Sequence, residues 1–255
     1  MLKIINKEEL EKQAEEGGRN IERRRQLGPE PESALIWFPA ILAAGLPVPR
    51  TEMVLFNHDS LWSVLDGKEA QGFPMEQLKR SCLDIGYPVF LRTDLSSAKH
   101  DGPISYRAKS EEDLWRCVVR TFEDNAIKDI ACFTRAFMVR EFLDLPAPFT
   151  AFRGHPIARE WRLFASQSQV VCEHFYWPEE AFEGGWASVK EWREMLKGLS
   201  SPPPELNELR EMALQATQAI GQGEWSVDFA QDRAGKWWLI DMAVARKSWH
   251  PDHEG

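Results

Sequence analysis

Arg92, Ser96, Ser97 and Lys99 follow one short apolar run, Val89 to Leu91, in Pro88-Val-Phe-Leu-Arg-Thr-Asp-Leu-Ser-Ser-Ala-Lys-His-Asp-Gly102. Arginine offers a planar fork to phosphate oxygens, lysine a mobile point charge, and serine a neutral donor. An apolar strand that delivers these groups to its mouth suits a polyphosphate. A strand running into an ordinary polar loop is the competing reading, because Asp, Ser, Lys and Gly are also common turn residues.

A second constellation lies downstream. Glu160 and Arg162, in Arg159-Glu-Trp-Arg-Leu-Phe164, are two apart on a predicted strand and project from one face, with Trp161 and Leu163 turned to the core. Taken alone, they are a solvated face with a local ion pair. A turn at Asp232-Arg-Ala-Gly235 joins the last two predicted strands, and the simplest hairpin register sets Asp228 opposite Asp241. Like charges facing each other across a sheet are destabilising, and Asp241 follows the apolar run Trp237-Trp-Leu-Ile240. A divalent cation between the carboxylates removes the conflict, and Mg²⁺ suits few carboxylates with a phosphate co-ligand. A slipped register with one Asp exposed is the alternative.

These groups need elements to hold them. Residues 7–26 pattern as charged helix broken at Gly17-Gly18, and Gly28-Pro-Glu-Pro31 ends that segment. Apolar spacing at Leu35, Ile36, Phe38, Ile41 and Leu42 predicts a helix closing at Gly45. A strand from Glu52 to Phe56 and a helix from Pro74 to Leu83 come next. Ser110-Glu-Glu-Asp113 has capping-box spacing and opens a helix to Phe122. Strands are expected at Phe133–Phe142, Ala158–Ser166, Gln169–Tyr176, Trp225–Gln231 and Lys236–Val244, with helices at Val189–Leu196 and Glu205–Ile220. The connection from Glu141 to Glu160, with Arg153 and His155, fits an acceptor-pocket wall or a surface hairpin. The class is α+β: an N-terminal helical and α/β unit (1–85), a central β-α-β lobe (86–142), and a C-terminal antiparallel sheet with helices (143–255).

Composition sets the bounds. The chain has 255 residues, 43% hydrophobic and 28% charged, as expected of a soluble globular protein. Its net charge of −9 argues against a general nucleic-acid binder. Cys82, Cys117, Cys132 and Cys172 are too scattered for zinc spacing or a disulfide framework, so reduced thiols in a cytoplasmic protein are expected. No apolar run approaches the roughly 18 residues of a membrane span, and the N-terminus is too charged for a secretory signal. There is no Walker-type phosphate loop, dinucleotide fingerprint or nucleophile elbow. Trp249-His-Pro-Asp-His253 offers histidines to a metal, although terminal pairs of this kind are more often surface.

Over roughly residues 33–246 the order of these parts resembles the ATP-grasp superfamily. Ala44-Gly-Leu-Pro-Val-Pro-Arg-Thr51 looks like the turn and strand that precede its central lobe. Pro88-Val-Phe-Leu-Arg92 looks like the strand whose last residue, usually lysine, reaches the nucleotide phosphates. Phe137-Met-Val-Arg-Glu-Phe-Leu143 is similar to its interlobe strand, which implies adenine and ribose contacts near Arg140, Glu141, Leu143 and Asp144. Val227-Asp-Phe229 and Leu239-Ile-Asp-Met242 resemble its metal-binding strands. Two branches are most similar: bacterial and phage proteins with arginine in place of the phosphate-binding lysine, and the eukaryotic cell-division-cycle chaperone that assembles a translation initiation factor. The sequence departs from the pattern at Ala243, where the family often places a metal-binding Asn, and lacks a first lysine ahead of the central lobe.

The resemblance implies ATP between the last two lobes, with Mg²⁺ on Asp228 and Asp241. It further implies a carboxylate–amine ligase acting through an acyl phosphate, with Arg162 and Glu160 as catalytic residues and small-molecule or peptide substrates. An ATP-binding assembly factor without turnover, with a protein partner, is the alternative. A plain interaction module would leave the opposed aspartates unexplained.

Overall fold

The computed structural model describes residues 7–67, 72–97, 99, 102–128 and 130–251. Helix α1, Lys7–Gln26, runs unbroken through Gly17-Gly18. Each glycine costs a helix only about 1 kcal/mol, and pairs such as Arg19 with Glu15 at 3.6 Å support it. Helix α2 spans Ala34–Ala43 and is capped by Ser33, whose Oγ accepts from the Leu35 amide at 3.2 Å.

The first lobe contains β1 (Thr51–Leu55), α3 (His58–Leu65), α4 (Met75–Ile85), β2 (Val89–Thr93), α5 (Pro103–Tyr106), β3 (Arg107–Ala108), α6 (Leu114–Ile127) and β4 (Ala136–Glu141). Its strands form one antiparallel sheet in the order β1-β4-β2-β3. The sheet therefore joins a strand from before residue 86 to the central segment. Helix α3 gave no sequence signal strong enough to predict it. The expected capping box is displaced: Ser110 makes no side-chain cap, a 3-10 turn occupies Glu111–Asp113, and Asp113 Oδ2 accepts from the Lys109 amide at 2.9 Å.

The second lobe contains β5 (Phe149–Ala151), β6 (His155–Ile157), β7 (Glu160–Ala165), β8 (Val170–Phe175), α7 (Trp192–Leu199), α8 (Leu206–Ile220), β9 (Trp225–Gln231) and β10 (Trp237–Val244). The sheet order is β10-β9-β7-β8, all antiparallel, and β5 with β6 forms a separate hairpin. Trp161, Leu163, Val227 and Phe229 pack with Leu209, Ala213 and Ala216 of α8. Trp37, Phe38 and Ile41 of α2 join this core, so α2 belongs to the second lobe and not to the sheet that follows it in sequence.

The last hairpin decides the register of the site. Gly235, at φ +85°, takes the left-handed position of the turn, and Asp232 Oδ1 accepts from the Ala234 and Lys236 amides at 2.9 Å. Trp237 faces Gln231 and Leu239 faces Phe229, one residue tighter than the simplest register. A bulge at Ile240 then restores Asp241 opposite Asp228.

Candidate functional site

The two sheets face each other across a cavity of about 560 Å³. Alternation along the strands builds its first-lobe wall. Val89, Leu91, Phe137 and Val139 are buried against the helices, so Phe90, Arg92 and Arg140 emerge on the cavity side. Ser97 and Lys99 enter from the loop after β2, and Glu141, Leu143 and Asp144 line the crossing between lobes. Glu160 and Asp241 supply the second-lobe wall. The Glu141-to-Glu160 connection is a hairpin that also lines the cavity, through Thr150, Gly154 and His155.

Three cation–carboxylate pairs organise the interior. Arg92 is 4% exposed, with Nη1 2.6 Å from Asp241 Oδ1. Lys99 Nζ lies 3.2 Å from Glu160 Oε2. Arg162 donates through Nε and Nη2 to both Asp228 oxygens, at 2.7 and 2.8 Å, in the bidentate geometry that makes Arg–carboxylate pairs strong. The first two pairs cross between lobes and the third lies within the second sheet. Register places His174, Arg162, Asp228 and Asp241 directly opposite one another in turn, so one row of side chains crosses the whole second sheet. Tyr176 braces it: Lys99 Nζ lies 4.9 Å and Arg162 Cζ 4.5 Å from its ring centroid.

Arg140 is held differently. It is 3% exposed, and Nη1 donates to the bulged Ile240 carbonyl, while Nε and Nη2 are buried without a hydrogen-bond partner among the described residues. Burial and then the adjacent Arg92 guanidinium pull its pKa down to about 9. Among the described residues, Arg92, Arg140, Lys99 and Arg162 thus share Asp241, Glu160 and Asp228, and the excess positive charge favours an anion. Burial alone would raise the Asp241 carboxyl, but Arg92 and then Arg140 hold it below its ordinary range. Burial likewise opposes charge on Lys99, yet Glu160, Tyr176, Asp228 and Asp241 hold the ammonium above its usual range.

Not every residue of the predicted set reaches the cavity. The Ser96 amide donates to Thr93 Oγ1 at 3.0 Å, and the Ser96 hydroxyl meets Asp124 at 2.8 Å and Lys128 at 2.9 Å on α6. Asp94 is also turned inward, accepting from Ser33 Oγ at 2.6 Å and the Arg135 amide at 3.0 Å, which ties α2 to β4. Arg162 and Asp228 stand behind the lining. Asp144 pairs with Arg233 at 2.7 Å on the exposed rim. Sequence reasoning missed Tyr176 and Tyr106, and placed His155 only within an undecided connection. The Tyr106 hydroxyl lies 2.7 Å from His155 Nδ1, and both residues are buried in the wall. The Gly102-Pro103 turn was the sole sequence cue to this wall.

Asp228 and Asp241 suit a divalent cation, since directly opposed residues present their carboxylates on one face and Mg²⁺ readily completes its shell with water and phosphate oxygens. Among the described residues, no group of three or more His, Cys, Asp or Glu converges as a metal cage. Cys172 Sγ contacts His250 Nε2 at 2.6 Å on the outer part of the sheet; His253 lies outside the described residues. No helix among the described residues is long and apolar enough to cross a membrane.

Residues 82–254 match the model of an ATP-grasp domain family, the third family of its clade. Among solved structures, Cdc123 from Schizosaccharomyces pombe superposes with a TM-score of 0.55 at 11% identity, covering 88% of this chain and 85% of that one. Biotin carboxylase from Campylobacter jejuni gives a TM-score of 0.49 at 18% identity, covering 84% of this chain and 40% of that one. These likenesses concern the fold. No curated protein sequence matches the chain.

Proposed function

Because this chain belongs to the ATP-grasp family, we propose that its interlobe cavity binds ATP with Mg²⁺ and that the protein is an ATP-dependent carboxylate–amine ligase. The observation that carries this reading is the meeting of Arg92, Lys99 and Arg140 with the opposed Asp228 and Asp241 at one cavity. Arg92 and Lys99 would hold phosphate oxygens, the two remaining nitrogens of Arg140 would take a further anionic oxygen, and the backbone of Glu141 to Leu143 would meet adenine. Asp228 and Asp241 would hold Mg²⁺, which supplies charge neutralisation at the phosphates.

In the proposed reaction a substrate carboxylate oxygen attacks the γ-phosphorus. The bond to the β-phosphate bridging oxygen breaks, and ADP leaves with that electron pair. An amine then attacks the acyl carbon of the acyl phosphate, phosphate departs with the C–O pair, and the ammonium proton passes to solvent or phosphate. Arg162 would stabilise the transferred group, with Glu160 positioning Lys99. Positioning and charge stabilisation suffice for this chemistry, without a covalent nucleophile.

Ala243 supports a second reading, an ATP-binding assembly factor without turnover, because it cannot supply the oxygen of the family's Asn. Coupled measurement of ADP release across amino-acid and peptide panels separates them. The ligase reading expects Mg-dependent release that requires both a carboxylate and an amine. Tight ATP binding without release would favour the assembly factor.

A further inference from the structure

The cavity is lined with both signs of charge, already matched. Arg92 is held by Asp241 at 2.6 Å, Lys99 by Glu160 at 3.2 Å, and Arg162 by both oxygens of Asp228. Each pair joins a group suited to phosphate with a group suited to a cation. All three are shielded from water, with side-chain exposures of 4% and 23% for Arg92 and Asp241, 11% and 3% for Lys99 and Glu160, and 12% and 6% for Arg162 and Asp228.

Such pairs constrain what can enter. A buried charge whose partner is taken away is strongly unfavourable. A polyanion that draws Arg92 and Lys99 to its oxygens strands Asp241 and Glu160. A bare cation that draws Asp241 and Asp228 strands Arg92 and Arg162. A ligand carrying both signs in one body re-pairs every group that it separates. We propose, building on the nucleotide reading, that the cavity selects the preformed metal–polyphosphate complex and disfavours both free nucleotide and free divalent cation, with Asp241 and Glu160 acting as the barrier to metal-free nucleotide.

The consequence runs against ordinary expectation for a binding-site carboxylate. Asp241→Asn or Glu160→Gln frees Arg92 or Lys99 for phosphate and should improve binding of nucleotide without metal. A released charge-assisted hydrogen-bond donor corresponds to roughly tenfold or more in affinity. Nonspecific relief of the chain's negative charge is controlled by Glu173→Gln, which breaks a pair with Arg210 outside the cavity.

The test is calorimetric titration of the full chain with adenylyl-imidodiphosphate, once in excess Mg²⁺ and once in EDTA, plus Mg²⁺ alone, with thermal melts confirming that each variant is folded. The parent protein should bind the Mg complex at least about a hundredfold more tightly than the metal-free analogue, with no measurable uptake of Mg²⁺ alone. Asp241→Asn and Glu160→Gln should each tighten metal-free binding about tenfold, whereas Glu173→Gln changes it less than about twofold. Unchanged or weaker metal-free binding in both carboxylate variants overturns the proposal and leaves nucleotide binding standing. Absence of binding to the parent with Mg²⁺ present overturns the nucleotide reading itself, and this proposal with it.

Discussion

The two walls of the cavity are built differently. The first-lobe wall draws Arg92, Ser97 and Lys99 from one short stretch, and Arg140 from the adjacent strand, so its charge is all positive and locally encoded. The second-lobe wall is a row, His174, Arg162, Asp228 and Asp241, with one residue from each of four strands and both signs of charge among its members. A single-sign wall attracts, whereas a row of mixed charge must be set by register and holds its members against one another. The site exists where the rows meet, through Arg92 with Asp241 and Lys99 with Glu160.

Breaking that meeting point should have the largest effect. Arg92→Ala leaves Asp241 partly buried beside Arg140 alone, and loss of one partner of a buried pair costs about 3–5 kcal/mol. Urea denaturation should show a loss of this order, and calorimetry a ten- to hundredfold drop in ATP affinity. Arg92→Ala with Asp241→Ala should recover part of the stability but none of the affinity. Full recovery of both would contradict the division of roles between the walls.

The second-lobe row predicts a different signature. Arg162→Ala should reduce turnover about a hundredfold while weakening ATP affinity less than about tenfold, because its proposed target is charge that develops during transfer. Equal losses in rate and affinity would make Arg162 a ground-state ligand. Steady-state ADP release beside direct titration distinguishes the two.

Sequence reasoning reached the first wall more easily than the second for a physical reason. Spacing alone puts Arg92, Ser97 and Lys99 on one loop, and they line one cavity. Ser96 has the same local credentials, but the Thr93 hydroxyl captures its amide and turns it to α6, a contact no spacing rule contains. The Asp228–Asp241 opposition was readable from the turn, although the molecule reaches it through a tighter turn and a bulge. The bulge in turn lets the Ile240 carbonyl meet Arg140, a bond between lobes that is invisible in either strand alone. Tyr176, Tyr106 and His155 were illegible as a set because they come together only once the lobes are packed.

Tyr176 sharpens the comparison, since its ring touches cations from both walls. Tyr176→Leu should weaken binding of the Mg–ATP complex about three- to thirtyfold, and Tyr176→Phe should restore most of it, because the ring and not the hydroxyl braces Lys99 and Arg162. Equal losses in both variants would assign the work to the hydroxyl.

The smallest effect concerns acid. Arg92 and then Arg140 outweigh burial and lower the Asp241 pKa from its ordinary 3.8, so the folded state binds that proton less readily than the unfolded chain. Its contribution to stability is complete above the ordinary carboxylate range and is lost as pH falls through the depressed value. Urea midpoints measured from neutral pH into that range should fall less steeply in Asp241→Asn than in the parent. Parallel curves would remove Asp241 from the charge balance of the cavity.

The central claim is that the first wall takes phosphate and the second takes metal. A crystal structure with adenylyl-imidodiphosphate and Mn²⁺, the metal located by its anomalous signal, tests it most directly. The account predicts the β- and γ-phosphates against Arg92 and Lys99, with the metal between the carboxylates of Asp228 and Asp241. Phosphates held by the second sheet alone, or a metal that touches neither aspartate, would contradict it.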